Sequence, residues 1–216
     1  MTVATRTLTH RQAASPRTTL ALRIIALVCA SLSLAALLVH LAGLLPMSFF
    51  LMVFGIPSVF LLFTLAALAR WLRADIVIDG MRVGLLAGFA ATIAYDGIRL
   101  IIEHTHIFGY NGFAPILIFG SWITGRPEST TAAHVVGWTY HYWNGLSFGI
   151  MYVLMFGKRH WLFGLAYGIV MELMMLGVFP TFIRVTDRFS FIAVSMIGHI
   201  AYGAVLGRVA QKYARF

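Results

Sequence analysis

The chain has 216 residues, of which 60% are hydrophobic and only 11% charged, and its mean hydropathy is +0.88. A soluble domain carries roughly 25% charged residues, so an ordinary soluble protein is excluded and lipid is the expected solvent for most of the surface. The formal net charge of +9 would suggest nucleic acid in a soluble chain, but the placement of these charges follows membrane topology instead.

The first residues, 1–23, are rich in Thr, Ala, Ser and Arg and read as a disordered cytoplasmic tail. Six apolar stretches then approach the ~20 helical residues needed to cross a ~30 Å hydrocarbon core. They run Ile24 to Leu45, Met47 to Leu68, Val83 to Ile102, Thr131 to Phe156, Trp161 to Ile183 and Phe189 to Gly207. The expected fold is an all-α integral membrane protein with six transmembrane helices. Residues 24–68 form a peripheral hairpin tightened by Pro46. Residues 80–207 form a four-helix bundle, and 208–216 a cytoplasmic tail. The first stretch is too long for a cleavable signal and lacks a clear small-residue cleavage site. Within segment 109–130, the apolar run Phe113 to Thr124 is too short to span and is expected at the interface or folded back as an outer lid.

Positive residues set the orientation. With the N-terminus inside, inner segments carry Arg6, Arg11, Arg17, Arg23, Arg70, Arg73, Arg82, Lys158, Arg159, Arg208, Lys212 and Arg215. Outer loops carry Arg126, Arg184 and Arg188, and Arg99 alone falls within a span. Both termini are therefore expected in the cytoplasm, in a multi-pass protein of a bacterial inner membrane. The basic balance needs no nucleic acid, since positive-inside placement and anionic lipid account for it. Cys29 is the single cysteine, so there is neither a disulfide framework nor a cysteine-rich metal site.

The hairpin is nearly free of ionisable groups, whereas the later helices carry glycines four residues apart. These are Gly80, Gly84 and Gly88; Gly145 and Gly149; Gly164 and Gly168; Gly203 and Gly207. Such spacing lets helix backbones approach closely in lipid, and the predicted topology puts all four sets in the cytoplasmic half. A short echo also relates His141-Tyr-Trp-Asn144-Gly145-Leu-Ser-Phe-Gly149 to His199-Ile-Ala-Tyr202-Gly203-Ala-Val-Leu-Gly207, which would be a parallel repeat.

Ionisable groups inside a span cost at least ~2.5 to 3.5 kcal/mol each on insertion scales, so they mark candidate sites. Asp96, Arg99, Glu103 and His106 share one helical stripe, and His134 and His141, seven apart, share another. Counting ~1.5 Å per residue separates two layers. Asp96, His141, Glu172 and His199 lie near the midplane; Glu103, His106 and His134, with His104 beside them, lie further out. Imidazole with carboxylate suits iron, zinc or manganese, so the inner four, with His134, are the expected metal ligands. Glu103 and His106 would relay protons or bind a second ion, while Arg99 would pair Asp96 or an anionic substrate group.

Haem b between His141 and His199 is the weaker cofactor, because Asp96 and Glu172 would be unusual company for it. The group Met171, Met174 and Met175 suggests copper, with core filling as its ordinary explanation. A metal-dependent redox enzyme acting on a hydrophobic or amphiphilic small molecule is thus the leading expectation. The alternative is a proton-coupled transporter or channel that uses the same groups as a relay. A further alternative is a subunit or assembly factor, with a homo-oligomer or membrane-complex partner.

Overall fold

The computed structural model describes residues 13–178 and 188–216. The described residues are almost wholly helical, without a strand. The helices are α1 (Pro16–Leu41), α2 (Met47–Leu72), α3 (Asp75–Thr105), α4 (Ala114–Thr124), α5 (Thr131–Phe156), α6 (Trp161–Val178) and α7 (Arg188–Tyr213). Four of them, α1, α2, α3 and α7, are long and apolar enough to cross a membrane. At 26 residues α5 is as long as α1, but His134, His141, Tyr142 and Asn144 make it more polar. The described part of α6 is 18 residues, and the expected end of that span at Ile183 lies outside the described residues.

Helix α1 begins earlier than the apolar run suggests, at Pro16 rather than Ile24. Ser15 caps it by accepting from the Thr18 amide at 3.1 Å, and Pro16 supplies a first-turn φ without losing a needed donor. Residues 1–12 of the expected tail lie outside the described residues. The turn into α2 uses Gly43 at φ +69, and α2 widens into a π turn over Leu51–Gly55, directly before Pro57. Proline cannot donate the next backbone bond, and the wide turn lies where that ladder is interrupted. Leu22, Ala26 and Ala30 of α1 pack with Leu62, Leu65 and Ala69 of α2 against Val77 and Met81 of α3. Phe60, Leu61, Phe63 and Trp71 of α2 remain exposed, as expected of a face toward lipid.

Two glycine seams organise the rest. A Cβ on Gly84 would lie 2.5 Å from Ile150 Cα, and one on Gly88 would lie 2.5 Å from the Gly145 carbonyl. One on Gly149 would collide with the Gly84 carbonyl. Helices α3 and α5 are thus antiparallel and in backbone contact. The same arrangement joins α6 to α7, where a Cβ on Gly164 would collide with Gly207 Cα and one on Gly203 would lie 2.5 Å from the Gly164 carbonyl. In lipid, where apolar burial gives no drive for association, such close backbone packing supplies the adhesion.

Helix α3 also packs against α7, so it is central to the bundle. Helices α5 and α6 meet chiefly through Tyr152, Phe156 and Tyr167, which leaves a gap beyond that aromatic contact. Short α4 lies against α5 with Gly120 and Gly137 each facing the other helix's backbone. The segment expected as a lid is thus packed on α5, with Ile116 and Gly120 buried and the rest of the helix partly exposed.

Candidate functional site

Beyond each seam, continuing away from the end where α1 begins and α7 finishes, ionisable residues follow within one or two turns, Thr92 intervening between Gly88 and Asp96 on α3. In the first helix pair, α3 carries Asp96 and α5 carries His141. His141 Nε2 lies 2.9 Å from Asp96 Oδ1 and 3.2 Å from Oδ2. In the second, α6 carries Glu172 and α7 carries His199, whose Nδ1 lies 2.9 Å from Glu172 Oε2. The two segments of the sequence echo thus occupy corresponding places, each on the second helix of a glycine-sealed pair with its histidine against a carboxylate from the first.

The hydrogen bonds assign the imidazole faces. His199 Nδ1 is also 3.0 Å from the Ser195 carbonyl, which only accepts, so Nδ1 carries the proton and Nε2 is the free nitrogen. In His141 the carboxylate takes Nε2–H and leaves Nδ1 free. Ser195 Oγ donates to Glu172 Oε2 at 2.7 Å, which orients the carboxylate as well. Glu172 is fully buried, and its Oε1 has no partner among the described residues. An unpaired buried carboxylate oxygen is costly, so it is a feature that packing alone would not favour.

Tyr95 stands between the pairs, its ring 5.9 Å from that of His141 and 5.0 Å from that of His199. Arg99, one turn further, stacks on Tyr95 at 4.6 Å and on Phe113 at 4.8 Å. Its Nη1 is 3.8 Å from Asp96 Oδ1, a loose ion pair because Asp96 already serves His141.

Two cavities adjoin this line of groups. The larger, about 220 Å³, is bounded by His141, His199, Tyr95 and Asn144, and by apolar side chains that include Leu37, Phe119, Met171 and Met175. The smaller, about 70 Å³, is bounded by Arg99, Tyr110, Gly112 and Ser195 and shares Tyr95, His141, Phe119 and Met175 with the larger. Tyr110 lies in the loop before α4, where burial pushes its phenol up to about 12, so it is a neutral donor at physiological pH.

The four expected metal ligands are not gathered at one point. Among the described residues no three His, Cys, Asp or Glu side chains gather where they could hold an ion. Asp96, His141, Glu172 and His199 instead resolve into two pairs, each carboxylate turned to its own histidine. The expected outer group does not converge either. His134 is exposed on α5, and His106 is exposed just past the end of α3, at φ +53. Glu103 is half-buried with Oε2 unpartnered. Arg99, by contrast, is buried beside Asp96 as its spacing implied.

Sequence reasoning assigned no role to Tyr95, Gly112 or the Ser195 hydroxyl. Two of these carry a signal in hindsight, since Tyr95 and Arg99 are four apart and so are Ser195 and His199.

No curated protein and no solved structure matches the chain. The family comparison matches residues 78–215, which takes in nearly all of α3 and everything through α7, with both carboxylate–histidine pairs, and leaves out the α1–α2 hairpin. The chain belongs to DUF6789, a family of unknown function.

Proposed function

We propose that this is a six-span membrane protein, with both termini cytoplasmic, that binds a hydrophobic or amphiphilic molecule within the bilayer and exchanges protons with it. The observation that carries this reading is that the histidine of each carboxylate–histidine pair borders one largely apolar cavity. Each histidine has one ring nitrogen committed to its carboxylate or backbone and the other uncommitted. A carboxylate behind an imidazole holds one tautomer and stabilises the imidazolium once a proton arrives. His141 and His199, with Tyr95 between them, are suited to pass protons to and from a bound molecule, and Glu172 is a buried store behind His199. Met174, exposed on α6, and Leu34 and Leu38 of α1 border the same cavity, and α1 and α6 make no broad contact. A ligand therefore enters laterally from the lipid between these helices. Proton-coupled transport fits this arrangement, because the glycine seams close one end and an alternate packing would be needed to open it.

The test is proton movement in proteoliposomes with an entrapped pH dye, driven by a lipid-soluble extract added outside. Glu172→Gln and His141→Ala should each abolish extract-dependent proton movement. Equal signals in wild type and both variants would overturn the reading.

A second reading is supported by the same uncommitted nitrogens. Carboxylates commonly stand behind metal-ligating histidines, so His141 and His199, with Met171 or Met175, could hold copper or iron, or haem b, in a redox enzyme. Elemental analysis of protein purified without a metal-affinity tag separates the two. One or two equivalents of metal, absent from a His141→Ala/Glu172→Ala/His199→Ala variant, would favour the enzyme. Folded, metal-free wild type would favour the relay.

A further inference from the structure

We infer that the molecule bound in the larger cavity is an acid, a long-chain carboxylate whose head group docks on the Arg99 guanidinium in the smaller cavity. This rests on the lateral-binding reading above and adds the chemistry of the head group. Arg99 is only 4% exposed. A cation at that depth is expensive unless something neutralises it, and among the described residues its ion pair is with Asp96, 3.8 Å away and already engaged by His141.

The guanidinium has two usable edges, and they differ. Nη1 faces Asp96. On the opposite side, Nε is buried and has no hydrogen-bond partner among the described residues. A Cβ on Gly112 would come within 3.1 Å of Nε and 3.5 Å of Nη2, so the absence of a side chain keeps the Nε–Nη2 edge clear. That edge presents two parallel N–H donors, the fork that a planar carboxylate accepts in bidentate fashion. Tyr110, whose hydroxyl is likewise buried without a partner, borders the same cavity.

The surroundings favour a carboxylate over a bulkier or uncharged head. The smaller cavity is about 70 Å³ and is closed around by Phe119, Phe191, Val194 and Ile116, which leaves little room for a substituted phosphate. Tyr95 and Phe113 stack on the guanidinium and hold its plane, so the fork is oriented before the ligand arrives. A chain running from this head into the larger cavity passes His141 and Tyr95, which border both. The other charged groups near Arg99 are Asp96 and Glu103 on α3, His141 on α5, and Glu172 with His199 across α6 and α7. Of the acids, Asp96 and Glu172 are engaged by histidines, and Glu103 is half-buried with no partner for Oε2 among the described residues.

Equilibrium binding of radiolabelled dodecanoic acid to the full chain in detergent at pH 8 tests the inference, with dodecanol and dodecyl phosphate as comparison probes. The acid should bind at least tenfold tighter than the alcohol or the phosphate. Arg99→Gln should remove that preference while leaving dodecanol binding within twofold. Gly112→Ala, a milder change that crowds the fork and leaves the charge, should weaken the acid severalfold and spare the alcohol. Equal binding of acid and alcohol by wild type would overturn the head-group assignment and leave lateral binding standing, as would tighter binding of the phosphate. Failure of all three probes to bind monodisperse wild type would overturn both.

Discussion

Gly149 offers the sharpest test of how the bundle is held together. A methyl group there would collide with the Gly84 carbonyl and lie 2.6 Å from both Gly88 Cα and Gly88 N. These are backbone atoms of a facing helix, which cannot turn aside as a side chain can, so α3 and α5 must part by roughly 1 Å to restore ordinary contact at the ~3.5 to 4 Å typical of carbon pairs. Overpacking of this kind costs about 1–3 kcal/mol. For a chain of this size each 1 kcal/mol lowers Tm by roughly 2–4 °C, so Gly149→Ala should lower it by about 2–12 °C. Since Asp96 and His141 sit just beyond this seam, their 2.9 Å contact should lengthen too. The internal control is Gly97, also mid-helix on α3, where an added Cβ meets nothing within 4 Å. Gly97→Ala should be neutral or stabilising by up to about 1 kcal/mol, because alanine loses less backbone freedom in a helix. Thermal unfolding in a mild detergent, followed by light scattering and circular dichroism, measures both. If Gly149→Ala and Gly97→Ala shift Tm equally, backbone contact along the seam is not what holds the pair.

The second seam should behave alike, with Gly203→Ala lowering Tm over a similar range, because its Cβ would lie 2.5 Å from the Gly164 carbonyl. Tyr140→Phe removes a buried hydrogen bond of 2.8 Å from its hydroxyl to the Ser33 carbonyl, a link between α5 and α1. The expected loss is about 0.5–1.5 kcal/mol, read as a lower Tm with unchanged helicity. Ser195→Ala takes the hydroxyl donor from Glu172 Oε2 and leaves it, among the described residues, with His199 alone. A charge-assisted bond of this type contributes roughly 1.5–3 kcal/mol, so the variant should unfold earlier, and Ser195→Thr should recover most of the loss. Unchanged Tm in Ser195→Ala would mean that the hydroxyl does not hold the carboxylate.

The helices, and the residues that would seal them, were legible because both follow from local spacing. Long apolar runs force helix in lipid, and glycines four apart mark one face whatever the partner. Partner choice was not legible. Nothing in the spacing says that Gly84 and Gly88 meet Gly145 and Gly149 while Gly164 and Gly168 meet Gly203 and Gly207. For the same reason the ionisable residues were found but misassembled. Counting residues fixes depth along a helix but not direction around it, so Asp96, His141, Glu172 and His199 could be assigned a layer but not a convergence point. The stripe from Asp96 to His106 failed at its far end for a different reason. Helix α3 ends at Thr105, and His106 leaves the helical path, so an i, i+3 relation to Glu103 no longer puts both on one face. The early start of α1 was missed because hydropathy sees the lipid-facing run and not the Ser15–Pro16 cap that precedes it.

The two helix pairs share a plan yet differ where it matters for chemistry. Asp96 and His141 are 13% and 17% exposed by side chain, and Asp96 is divided between His141 and Arg99. Glu172 is sealed, and the side chains that link it to the cavities are His199, 12% exposed, and Ser195. Asp96, shared between an imidazole and a guanidinium that both border a cavity, would feel the charge of a molecule bound beside either. Glu172 would feel it only by way of the groups bonded to it. Tyr95 touches both rings and the guanidinium, so it is the one side chain through which a change at Arg99 reaches both pairs at once. Duplicating a glycine-sealed pair therefore does more than strengthen the bundle. On the proposed reading, it sets two carboxylate–histidine pairs of unlike accessibility beside one cavity, an arrangement that would couple occupancy of that cavity to the movement of a proton.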